Sequence, residues 1–194
     1  MTVPPKLYKF DDSRRIVSFD YSIYEEIKGE ELKIYDSSKY FFKAGEILAK
    51  IHSIEMNFFH RDKVIQRMDL CKFYEQYFNN VLNQLKIRDE QLFIEVQKIM
   101  NEYFDRNCYQ GLKPVLLHHD YHIKNIIVDH SGDLHIIDWV SARGGIAEVD
   151  LLKIKYLNFK NSDPEVYKAF FRGYQKAREM KLTINFPLQE LIWL

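Results

Sequence analysis

His118-His119-Asp120-Tyr121-His122-Ile123-Lys124-Asn125, with Ile137-Asp138-Trp139 a short way beyond it, is the stretch that decides how this chain of 194 residues is read. Between the two lie the apolar runs Ile126-Ile127-Val128 and Leu134-His135-Ile136-Ile137, separated by Asp129-His130-Ser131-Gly132-Asp133. Apolar runs around such a cluster predict two short strands joined by a turn. A hairpin returns its two ends to one place, so Asn125 and Asp138 are expected side by side. An amide oxygen and a carboxylate are hard ligands suited to Mg²⁺, which keeps waters and takes further oxygens from phosphates. Asp120, in the polar loop ahead of the hairpin, is left near that metal. There it would orient or deprotonate a hydroxyl that attacks a phosphoryl group.

The rest of the chain is read outward from this stretch. Val115-Leu116-Leu117 is another short apolar run, set off by Pro114. Beyond Gly144-Gly145 the chain is predicted to be helical over 147–158 and again over 164–180, with Asp163 placed to cap the second helix. Towards the N-terminus, Lys6 to Phe10 alternates as a strand does. Asp11-Asp12-Ser13 reads as a turn, and Ile16 to Ile27 as a second extended run that Gly29 ends. Ser37 or Ser38 stands where a helix cap belongs, ahead of Phe41, Ala44, Leu48 and Ile51 at helical spacing. Two more helices are expected over 70–85 and 89–107. Strands, helices, a hairpin and helices again make an α+β pattern without βαβ alternation.

Composition narrows the function. Basic and acidic side chains balance at 28 each, so no positive surplus exists to displace counterions from a nucleic acid. No run of about eighteen apolar residues is present, so no membrane span is expected. Cys71 and Cys108 stand far apart without a CxxC pattern, which fits a reduced, cytoplasmic protein. Residues 111–150 hold 3 basic and 6 acidic side chains, an excess that suits a bound cation. The high aromatic content, 15%, reads as bulky core, because no basic stripe accompanies it.

An Asp, an Asn five residues later and a second Asp after a hairpin is the order of a protein-kinase-like phosphoryl-transfer site. The stretch resembles the aminoglycoside phosphotransferase family, which includes small-molecule kinases such as those acting on choline and homoserine. That family's loop reads His-Gly-Asp-x-His-x-x-Asn, followed by Ile-Asp-Trp. His118, Asp120, His122, Asn125, Ile137, Asp138 and Trp139 match, and His119 replaces the usual Gly. The resemblance implies a protein-kinase-like fold using ATP and Mg²⁺, with Asp120 as catalytic base and Asn125 and Asp138 as metal ligands. It gives His118 and His122 loop-holding roles and makes Asp150 a brace for the loop. It also makes the stretch Tyr21 to Gly29 the strand and hinge between two lobes, where backbone groups of Glu25, Glu26 and Ile27 would meet adenine. Residues 1–29 would then be a remnant of the N-terminal lobe, and 30–194 a mostly helical C-terminal lobe.

The family's N-terminal lobe also carries a phosphate-covering loop and a strand lysine with a glutamate partner. The first of the seven glycines is Gly29, so no glycine-rich loop precedes the hinge, and Lys6 and Lys9 lie on what reads as the lobe's fourth strand. Loss of such groups costs about 3 kcal/mol or more each in the transition state. The expectation is therefore a truncated or partial phosphotransferase, weakly active or inactive. The alternative is a non-catalytic remnant that binds a nucleotide or another ligand. Residues 151–194 hold 8 basic and 4 acidic side chains, which points away from polycationic acceptors and towards a neutral or anionic hydroxyl compound. A zinc hydrolase is a distant third reading, since the histidines lack the HExxH spacing.

Overall fold

The computed structural model describes residues 5–34, 36–57, 113–154 and 163–178, together with 79, 80, 83, 90, 91, 94 and 159. Strands β1 (Leu7–Asp11) and β2 (Tyr21–Tyr24) pair antiparallel in a sheet of their own, with an irregularity between Leu7 and Lys9. The connection between them is longer than the turn read from sequence. Asp11 Oδ1 accepts from the Ser13 N–H and hydroxyl, Arg14 turns left-handed at φ 54°, and its Nε donates to Asp20 2.9 Å away. Those side-chain bonds hold residues 13–19 in bends, so the extended run expected from Ile16 shortens to Tyr21–Tyr24.

Residues 25–28 lead into β3 (Gly29–Glu31), which joins a second sheet. Its order is β3, β5 (Ile126–Asp129), β6 (Leu134–Ile136), all antiparallel. The expected hairpin is therefore present, with Ile126 opposite Ile136. Asp129 closes its turn by accepting from the N–H groups of Ser131 and Asp133 and from His135 Nε2 at 2.8 Å. A third sheet pairs β4 (Val115–Leu117) with β7 (Arg143–Gly145).

Helix α1 (Ser38–Ile51) has Ser37 at its N-cap position and buries Phe41, Ala44, Leu48 and Ile51, the face its spacing predicts. Its chief partner is α3 (Pro164–Ala177), capped by Asp163, whose carboxylate accepts the Glu165 N–H. Two glycines let these helices touch backbone to backbone. A Cβ on Gly45 would stand 2.0 Å from the Phe170 carbonyl, and one on Gly173 1.9 Å from that of Phe42. Between them the short α2 (Glu148–Ile154) completes the described helices. The core joins Phe41, Leu48, Tyr121, Ile126, Leu134, Leu151, Phe170 and Tyr174. α3 ends at Ala177 because Arg178 turns extended. The helices expected over 70–85 and 89–107 lie outside the described residues, save single helical positions at 79, 80, 83, 90, 91 and 94. The ends expected at 158 and 180 lie outside them too.

Candidate active site

The loop between β4 and β5 is built around a buried histidine. His118 Nε2 lies 2.9 Å from the Ile137 carbonyl, and its Nδ1 accepts the Asp120 N–H at 3.3 Å. A carbonyl only accepts, so Nε2 carries the proton and the ring is the neutral tautomer. Burial favours that state and lowers the pKa of His118. Trp139 packs 4.6 Å from this ring and donates its Nε1–H to the Ile136 carbonyl. Both ring nitrogens of His118 are thus committed to the fold. Tyr121, fully buried, donates its hydroxyl to the Ala44 carbonyl and ties the loop to α1.

This frame sets out the acidic residues. Asn125 ends a turn of 3₁₀ helix over Ile123–Asn125 and points its Nδ2 at Asp120, 2.9 Å from the carbonyl and 3.0 Å from Oδ2. Its own carbonyl accepts the Ile137 N–H at 3.0 Å, so the residue before Asp138 is bonded to Asn125. The hairpin therefore brings Asn125 and the chain at Asp138 together, as its turn chemistry predicts. Asp138 is exposed and left-handed at φ 59°, a conformation that aspartate tolerates. His122, for which the family resemblance implies a loop-holding role, has Nε2 3.5 Å from Asp120 Oδ2 and 3.3 Å from Asn125 Nδ2. Glu25 and Glu26 are exposed and Ile27 half-buried in the segment between β2 and β3. The Glu25 N–H already donates to the Lys6 carbonyl at 2.8 Å. β3 then carries this segment to β5, immediately after Asn125, through pairs such as Glu31 with Ile127.

The sequence matches the profile of the phosphotransferase enzyme family, APH, over residues 3–182. The chain belongs to that family. No curated protein matches it in sequence. Among solved structures, an aminoglycoside phosphotransferase from Alicyclobacillus acidocaldarius superposes with a TM-score of 0.64 at 14% identity, over 98% of this chain and 64% of that one. AMP-bound spectinomycin phosphotransferase gives 0.59 at 17%, over 99% and 66%. The choline kinase LicA of Streptococcus pneumoniae gives 0.56 at 20%, over 98% and 64%. The fold is theirs, an α+β kinase-like fold, and the chain spans less than two thirds of the length of each.

Against the family's loop, position 119 is where this phosphotransferase-family chain departs, and the structure shows how. His119 adopts φ 61°, the left-handed region that glycine enters freely. A residue with a Cβ therefore holds here the backbone that glycine adopts most readily. Asp150 Oδ2 accepts the His118 N–H at 2.8 Å and Oδ1 the His119 N–H at 2.9 Å, the bracing expected of it. That carboxylate is itself buried against His52, whose Nε2 is 3.2 Å away and whose Nδ1 meets the Tyr174 hydroxyl at 2.8 Å. Arg178 donates to the His52 carbonyl. Sequence reading missed His52, Tyr174 and Arg178, which lie far from the loop in the chain. It also missed Lys153, whose Nζ donates to the His119 carbonyl and lies 3.3 Å from its Nδ1. Burial, with the charges of Lys153 and Arg143, pushes the His119 pKa down to about 4, and burial lowers that of Lys153. Among the described residues no helix is long and apolar enough to cross a membrane.

Proposed function

We propose that this chain is an ATP- and Mg²⁺-dependent phosphotransferase that acts on a hydroxyl of a small molecule. The carrying observation is the Asp120–Asn125–Asp138 arrangement, in which one amide holds the Asp120 carboxylate while its own peptide carbonyl fixes the approach to Asp138. Asp120 is the base: its carboxylate, partly exposed, accepts the proton of the acceptor hydroxyl as that oxygen bonds to the γ-phosphorus and the bond from that phosphorus to the β,γ-bridging oxygen breaks, releasing ADP. Asn125 gives its NH₂ to Asp120, which leaves Oδ1 as its hard donor, and Asp138 presents an exposed carboxylate. Two such oxygens suit Mg²⁺, which takes its remaining ligands from water and phosphate, and among the described residues no group of three or more His, Cys, Asp or Glu offers a closed cage. Bound there, Mg²⁺ would offset charge on the transferring phosphates. The backbone of Glu26 and Ile27 is the adenine contact, with Glu25 contributing its carbonyl. AMP in the related spectinomycin phosphotransferase supports a nucleotide of this kind.

On this reading residues 1–29 are the end of a nucleotide-side lobe and 30–194 the acceptor-side lobe. The acceptor is a neutral or anionic hydroxyl compound, in keeping with the basic surplus of residues 151–194. The second reading is a nucleotide-binding module without turnover. Phosphate transfer from ATP across a panel of small alcohols separates the two. Turnover that Asp120→Ala abolishes supports the enzyme, whereas a parent and Asp120→Ala that behave alike support the module.

A further inference from the structure

Helix α2 holds residue 119 from both sides. The peptide on its N-terminal side is fixed through the His119 N–H, which donates to Asp150 Oδ1 at 2.9 Å. The peptide on its C-terminal side is fixed through the His119 carbonyl, which accepts from Lys153 Nζ. Asp150 and Lys153 stand three residues apart in one helix, so both side chains leave the same face. The torsions φ and ψ of residue 119 are the relation between those two peptide planes. With both planes tied to one short helix, the torsions are set without regard to the residue's own preference.

That preference runs the other way. Left-handed backbone is unfavourable for a residue with a Cβ, and glycine alone adopts it without cost. His119 holds φ 61° in the position directly before Asp120, so any relaxation of its torsions swings the carboxylate. The ring adds a third tie, with Nδ1 3.3 Å from the same ammonium. Burial keeps this ring neutral, so Lys153 faces no second cation on it at neutral pH.

We propose that Lys153 is a positioning residue that clamps His119 in the left-handed conformation, which a histidine does not favour on its own, and so aims Asp120. The consequence for catalysis rests on the role proposed for Asp120. The clamp itself does not, and its test need not pass through catalysis.

The test is a set of variants on the full chain: Lys153→Met, Lys153→Arg, His119→Gly, and His119→Gly with Lys153→Met. Amide hydrogen exchange is read at His119 and Asp120, with α1 and α3 amides as the control for folding. Lys153→Met is expected to speed exchange at those two amides about tenfold. The same change in the His119→Gly background is expected to do so by less than about threefold, because glycine needs no clamp. Lys153→Arg, which can still donate to the carbonyl, is expected to stay near the parent. Where transfer is measurable, Lys153→Met should lower kcat by about tenfold and leave the nucleotide KM unchanged. Unchanged exchange in Lys153→Met overturns the clamp, and so does an equal rise in both backgrounds. Because exchange is read without substrate, it decides the clamp even for a parent that transfers no phosphate.

Discussion

Asp120, Asn125 and Asp138 are legible as a group because the chemistry at each position has few substitutes. A hard cation calls for oxygen, and a base at neutral pH is well served by a carboxylate near its metal. Replacing Asp120 by Ala is predicted to lower transfer about a thousandfold while nucleotide affinity stays within about twofold, measured by steady-state kinetics and calorimetry. Position 119 was legible as a departure from the family and not as a backbone state. A torsion angle is set by the two peptides that flank it, and here both are held by residues more than thirty positions away. The same histidine yields a pH prediction. Its folded pKa of about 4 lies below its ordinary 6.5, so between those values the unfolded chain binds a proton that the folded chain refuses. The stability that comes from burying His119 neutral is full above pH 6.5 and is lost as pH falls towards 4, by up to about 3 kcal/mol. Denaturant titrations at pH 7 and pH 4.5 should show the parent losing more stability than His119→Gly. Parallel losses would show that His119 does not carry this pH dependence.

Elements announced by turn and cap chemistry were read well. The β5–β6 hairpin follows from Asp129 to Asp133, α1 from its apolar spacing, and the start of α3 from Asp163 and Pro164. What could not be read was how elements meet. Gly45 and Gly173 look in sequence like two helix-weakening residues, yet each lies where the opposite backbone leaves no room for a methyl. Alanine at either position is predicted to cost about 1–3 kcal/mol or more, as a fall in unfolding midpoint with an unchanged slope. The His52–Asp150 contact joins the residue that caps the C-terminus of α1 to α2 across 98 residues and has no local signature. Asp150→Ala strands two loop N–H groups and a buried histidine, so a loss of about 3 kcal/mol or more is expected. Asp150→Asn, which keeps one acceptor oxygen, should lose less.

At the scale of the molecule, β1 and β2 form a sheet separate from that of the β5–β6 hairpin. Leu7, Phe10, Ile23 and Tyr24 are each about half exposed, and an isolated pair of strands is marginal in water. This pair of strands is therefore predicted to open more readily than the helices, with amide exchange in β1 and β2 at least about a hundredfold faster than in the cores of α1 and α3. The proposed phosphotransferase activity requires a functioning half-site at Asn125 and Asp138. The most direct measurement is calorimetric titration of the 194-residue chain with ATP, with and without Mg²⁺, beside Asp138→Asn, which keeps the left-handed backbone and removes the charge. Binding is expected to require Mg²⁺ and to fall about tenfold or more in the variant. Equal affinity in parent and variant, or no binding by a chain shown to be folded, would contradict the half-site.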